Sequence, residues 1–171
     1  DPAIAEGRMP EIIPDHGKII HMYLVKDDMS VLSHIHPSRN IENKHVFDVL
    51  MPPIPEGNYF VYMDITYETG MTETVLTPIE YKSKIESIEN GNVPIRDPDD
   101  SWTHAKMQHK IIWLNRKDEY QPEEEINLEF QAFNFKKVPT KLEPYIQMGG
   151  HGALISPDNN VFIHFHPIGT I

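Results

Sequence analysis

The chain has no cysteine among its 171 residues, which excludes disulfide bonds, thiolate metal ligands and cysteine nucleophiles. It has no apolar run approaching the roughly 18 residues of a membrane-spanning helix, and no signal-peptide pattern opens it. It begins at Asp1-Pro2 without an initiator methionine, so we expect a mature or trimmed protein from which a targeting segment has been removed. Basic residues are scarce: 15 Lys and Arg against 26 Asp and Glu give a formal charge of −11, with an isoelectric point near 5.3. That balance argues against nucleic acid or an anionic membrane surface as partner and leaves neutral, cationic or metallic ones. Serine elbow, phosphate loop and dinucleotide fingerprint are all missing. Asp97, Asp99 and Asp100 lack the glycine and the twelfth-position glutamate of an EF-hand loop.

What the chain does have is histidine, ten in all. His21, His34, His36 and Pro37 recur as His151, His164, His166 and Pro167, so the pattern H-x12-H-x-H-P occurs twice, offset by 130 residues. Two spaced copies point to duplicated units. Each segment, HMYLVKDDMSVLSHIHP and HGALISPDNNVFIHFHP, reads as a β-hairpin. Lys26, Asp27 and Asp28 form the first turn; Ser156, Pro157, Asp158 and Asn159 form the second. With the turns centred at Asp27-Asp28 and Pro157-Asp158, His21 faces His34 and His151 faces His164, with Cβ atoms about 5 Å apart. Residues i and i+2 share a strand face, so His36 and His166 join their respective pairs. Three imidazoles then converge in each copy. The opposite faces, Ile20, Met22, Leu24, Val31 and Ile35 in one copy and Leu154, Val161, Ile163 and Phe165 in the other, are expected to be core.

Three neutral imidazoles can hold zinc at about 2.0 to 2.1 Å, and they suit copper equally well. Tyr145 and Met148 stand just upstream of the second copy, and His16 upstream of the first. A thioether beside imidazoles tilts the choice toward copper, because soft ligands favour Cu(I). Gly149, opposite His166 in this pairing, leaves room beside that ring. The competing reading makes all six histidines structural, half-buried and hydrogen-bonded to carboxylates or backbone. His104, Met107 and His109 are a secondary His/Met candidate, or simply exposed strand residues. His45 either approaches the first cluster or caps a strand, and Glu123, Glu124 and Glu125 read as a solvated turn.

With 39% hydrophobic residues the chain can bury a core. Strands are expected over 45–51, 58–67, 72–81, 106–115 and 125–135, with no helix. The expected class is all-β: two small sandwich units at 1–81 and 102–171, joined by a polar linker at 82–101. Each unit looks incomplete, the first at its start and the second at its end. Exposed sheet edges then call for tight packing between units or against another chain.

Over DHGKIIHMYLVKDDMSVLSHIHPSR, FDVLMPPIPEGNYFVYMDITYETG and LEPYIQMGGHGALISPDNNVFIHFHPIGTI, the sequence resembles bacterial envelope proteins with paired cupredoxin-like or immunoglobulin-like (YtkA-like) β-sandwich domains. The resemblance covers most of the chain outside the linker. Its most specific part is EPY-x-x-M-x-GH followed by HxHP-x-GT. In that family the pattern continues beyond the final GT-I and a further segment precedes the first hairpin, a departure that puts the completeness of both units in question. The resemblance implies a periplasmic or other extracytoplasmic location and a role in handling copper or another metal. Three function classes follow: a non-enzymatic metal-binding module, an accessory subunit of an envelope complex whose histidines only pack, and, ranked last, a metalloenzyme.

Overall fold

Alternating apolar and polar residues, many of them β-branched or aromatic, build strands throughout. The computed structural model describes residues 10–83, 96–103 and 110–167, and among them every regular element is a strand. In chain order these are β1 (Ile12–Ile13), β2 (Ile20–Lys26), β3 (Leu32–Ile35), β4 (Ser38–Arg39), β5 (Phe47–Asp48) and β6 (Gly57–Tyr67). There follow β7 (Thr72–Tyr81), β8 (Ser101–Trp102), β9 (Lys110–Trp113), β10 (Phe130–Phe133), β11 (Gly152–Ile155) and β12 (Phe162–Phe165). The all-β expectation holds. The strands expected at 45–51 and 125–135 shrink to the short β5 and β10, and the described part of the one expected at 106–115 ends at Trp113, while β6 and β7 match theirs closely. His104, Met107 and His109 lie outside the described residues.

The main sheet has six antiparallel strands in the order β1-β6-β2-β3-β8, with β7 also on β6; β4-β5, β9-β10 and β11-β12 form two-stranded sheets. The chain divides into two compact units, Asp1–His104 with Tyr145–Ile171, and Ala105–Pro144. These boundaries do not follow the linker composition at 82–101. The second histidine hairpin groups with the first, and Ala105–Pro144 contributes the β9-β10 pair.

The grouping has a packing cause. One face of the main sheet buries Leu24, Val31, Ile35, Ile54, Tyr59 and Val61. The other face carries Tyr23, Val25 and Tyr62, against which Ala153, Ile155 and Phe162 of the second hairpin pack. Phe162 stacks on Tyr62 with ring centroids 4.5 Å apart, and the Tyr62 hydroxyl donates to Asn159 Oδ1 at 3.1 Å. Strand β2 is therefore covered on both sides, which is why five of its seven residues are buried. The first hairpin's apolar face is core as expected. The second hairpin's is not: Leu154, Val161 and Ile163 are 44%, 49% and 50% exposed, because that hairpin lies with its histidine face turned inward on the main sheet.

Candidate metal centre

Both hairpins turn in the same way. Lys26 N donates to Val31 O at 2.9 Å and Met29 N to Lys26 O at 2.8 Å; at the positions 130 residues on, Ser156 N donates to Val161 O at 3.0 Å and Asn159 N to Ser156 O at 2.8 Å. Met29 and Asn159 both have φ of 59°. This left-handed residue shifts each turn's centre by one residue from the expected midpoint, and therefore shifts the strand pairing by two. His34 pairs with Tyr23, not His21, and His164 pairs with Ala153, not His151. His21 and His151 move level with His36 and His166 instead. A shift of two keeps every side chain on its face, so each triad survives the change of register. His21, His34 and His36 offer ligand atoms all within 4.8 Å of one another, as do His151, His164 and His166. These are three-histidine clusters that can hold a metal, the first fully buried and the second half-buried.

The two triads face each other. His21 and His151 have ring centroids 5.7 Å apart, His21 and His164 5.3 Å, and His34 and His151 5.7 Å. Within the first triad the separations run from 4.5 Å to 5.3 Å. The sheet and the second hairpin thus bring six imidazoles into a single cluster.

Oxygen acceptors fix the outer nitrogens. His21 Nε2 lies 3.1 Å from the Asp15 carbonyl, and His36 Nδ1 lies 3.1 Å from Asp100 Oδ1, which also accepts the His36 amide at 2.8 Å. His164 Nδ1 stands 3.0 Å from Asp64 Oδ2. Acceptors that only accept place the ring proton on these outer atoms and leave the inner nitrogens as bare lone pairs, the arrangement that orients metal-ligating histidines. Four histidines then carry buried nitrogens with no hydrogen-bond partner among the described residues: His36 Nε2, both nitrogens of His151, His164 Nε2 and His166 Nε2. Unsatisfied buried polar atoms each cost about 1 to 3 kcal/mol, and native interiors seldom gather them in one place. Metal binding gives a partner to His36 Nε2, His164 Nε2, His166 Nε2 and one nitrogen of His151.

His34 is the fork in this network. Its Nε2 lies 3.1 Å from His21 Nδ1, and its Nδ1 lies 3.4 Å from Tyr145 Oη, whose own proton goes to the Asp99 carbonyl at 2.5 Å. One ring proton serves two contacts. Placed toward Tyr145, it leaves two lone pairs facing each other at 3.1 Å, close to the ~3.3 Å edge of a tetrahedron with 2.0 to 2.1 Å bonds. Placed toward His21, it makes the two rings a packed, hydrogen-bonded pair.

Burial favours the uncharged form of His21, His34, His36, His151 and His166. It drives His34 down to about 2, with the neighbouring imidazoles adding to the effect; His36 falls to about 4 and His151 to about 3. His21 and His166 are lowered by the same cause. Neutral imidazoles are the form a metal requires, so no proton need be displaced near pH 7.

No protein-family model, curated protein or solved structure matches the chain. The site is therefore read from its own chemistry.

Each turn before a triad also reaches the opposite triad. Asp15 bridges to Lys18 and Tyr145 to Met148. Both turns hold consecutive left-handed residues, His16 and Gly17 at 48° and 81°, and Ile146 and Gln147 at 48° and 62°. His16, expected beside the first cluster, instead packs 4.5 Å from His166 and 6.0 Å from His151. Tyr145, expected beside the second, reaches His34 as well as edging onto His151 at 5.4 Å. Met148 is half-buried, and its backbone closes the Tyr145 turn. Gly149 does not back His166: a Cβ there would meet Pro167 Cγ at 3.7 Å. His45 sits exposed in a loop, its amide donating to Asn43 Oδ1 at 3.0 Å.

The carboxylates were not legible as site residues. Asp97 and Asp100 form a ligand-spaced group with His36 from a stretch read as linker, Asp100 lying 64 residues away in sequence. Asp64 pairs with His21 across β2 and β6, a neighbour that only a known strand pairing reveals.

Proposed function

We propose that this chain is a non-enzymatic metal-binding protein that holds copper, with zinc as the alternative ion, in its histidine triads. The observation that carries the reading is the set of buried, partnerless imidazole nitrogens on His36, His151, His164 and His166, with the outer nitrogens of His36 and His164 held by Asp100 and Asp64. Copper(II) heads the divalent affinity order at nitrogen sites, and a thioether such as that of Met148, close to His151 in sequence, would favour copper further. Ten histidines and eight methionines without cysteine suit an oxidising extracytoplasmic compartment, which favours placement at the periplasm or outer face of a bacterial envelope, where a partner chain or membrane complex would receive the ion.

Metal analysis of protein purified without a histidine tag tests this. Copper or zinc bound tighter than micromolar, and lost on replacing His34 and His36, supports it; metal content unchanged by those replacements refutes it. The His21 to His34 contact at 3.1 Å favours a second reading, in which the histidines only pack and the chain is an accessory subunit of an envelope complex. Absence of any binding together with constant recovery alongside fixed partners supports that one.

A further inference from the structure

Building on metal ligation by each triad, we infer that the two triads form one two-ion centre, its ions close enough to share a small bridging oxygen donor such as hydroxide. The ligand atoms fall into two separate groups, His21 with His34 and His36, and His151 with His164 and His166, so the cluster offers two positions. Yet the nearest rings of opposite triads are about as close as the wider-spaced rings within one triad. His21 stands 5.3 Å from His164 and 5.3 Å from His34, and His151 stands 5.7 Å from His34 and 5.4 Å from His164.

Two cations at such range repel strongly in a buried cluster, so the pair needs negative charge. Each triad has a carboxylate behind it, Asp100 on His36 and Asp64 on His164. A bridging anion supplies the rest. Tyr23 carries a buried hydroxyl with no partner among the described residues, on a ring that stacks 4.3 Å from His34 and lies 5.4 Å from His164. Tyr145 also meets both triads, but its proton goes to the Asp99 carbonyl; the Tyr23 hydroxyl is the uncommitted donor of the two and suits an anion held between the triads.

The test is titration of the full chain, free of any tag, with Cu(II), followed by metal analysis and electron paramagnetic resonance. The expected result is two ions per chain, with the isolated-ion Cu(II) signal of the first equivalent lost or replaced by a half-field transition as the second binds, because a bridging anion couples the two spins. His166→Ala, on the half-buried triad, then holds one ion and keeps the isolated-ion signal and its far-UV circular dichroism; if that variant unfolds, the parent titration alone decides. Two bound ions that both keep full isolated-ion signals overturn the pairing and leave two independent triads. One ion per chain overturns the pairing as well. No ion bound overturns the metal reading itself.

Discussion

Replacing Asp100 tests whether the site is built as a metal centre or merely packed. The Asp100 and His36 side chains are 1% and 2% exposed, and Asp100 Oδ1 accepts both the amide and Nδ1 of His36. Asp100→Ala frees the His36 ring to rotate and to carry its proton on either nitrogen. Loss of such an outer partner lowers metal affinity about 10- to 100-fold, which is about 1.4 to 2.7 kcal/mol. The metal-free fold loses about 1 to 3 kcal/mol, because a buried amide is left without an acceptor. Asp100→Asn keeps the acceptor and removes the charge, so it falls between parent and alanine variant on both counts. Competition with a chromophoric chelator at pH 7.5 reads the first quantity, and urea unfolding of metal-free protein reads the second. Asp97→Asn, whose carboxylate is 4.0 Å from His36 Nδ1, serves as the weaker control. A folded Asp100→Ala protein that binds metal within threefold of the parent refutes the orienting role.

Acid should unfold the metal-free protein. His34 and His36 have folded values below the ordinary 6.5, so the unfolded chain binds protons that the folded one refuses. Their contribution is complete above about pH 6.5 and is lost as pH falls toward about 4 for His36 and about 2 for His34, with about 2 kcal/mol lost per ring by pH 5; urea midpoints that stay flat from pH 7.5 to 5 contradict this. Gly152→Ala places a Cβ 2.4 Å from Phe165 Cζ and should destabilise by about 1 to 3 kcal/mol through overpacking, visible as a lowered thermal midpoint. Met29→Asn should stabilise by about 0.5 to 1 kcal/mol in urea, because asparagine tolerates the 59° φ that methionine resists. Asn159→Ala at the corresponding turn position should do the reverse and also remove the Tyr62 hydrogen bond, so equal midpoints for parent and variant would contradict the turn's role.

The histidine face was legible because strand periodicity is two residues. The expected turn midpoints erred by one residue at Met29 and Asn159, the pairing moved by two, and His21, His34 and His36 still shared a face; an error of one pairing step would have scattered them. What spacing could not reveal was the meeting of the two hairpins. That depends on Ala153, Ile155 and Phe162 burying themselves on Tyr23, Val25 and Tyr62, a contact between distant segments with no local signature. The crossed roles of His16 and Tyr145 were hidden for a related reason. The turns Asp15–Lys18 and Tyr145–Met148 share backbone angles but no residue identities. The exposed Leu154, Val161 and Ile163 misled because an apolar strand face usually marks core, whereas here the histidine face is the buried one.

The claim that the inner imidazole nitrogens hold a metal is tested most directly by X-ray absorption spectroscopy of the copper-loaded or zinc-loaded chain. A first shell of nitrogen near 2.0 to 2.1 Å, with outer-shell scattering from three imidazoles per ion, is the result this structure predicts. A shell of oxygen donors without imidazole scattering would place the ion elsewhere and leave the six histidines as packing alone.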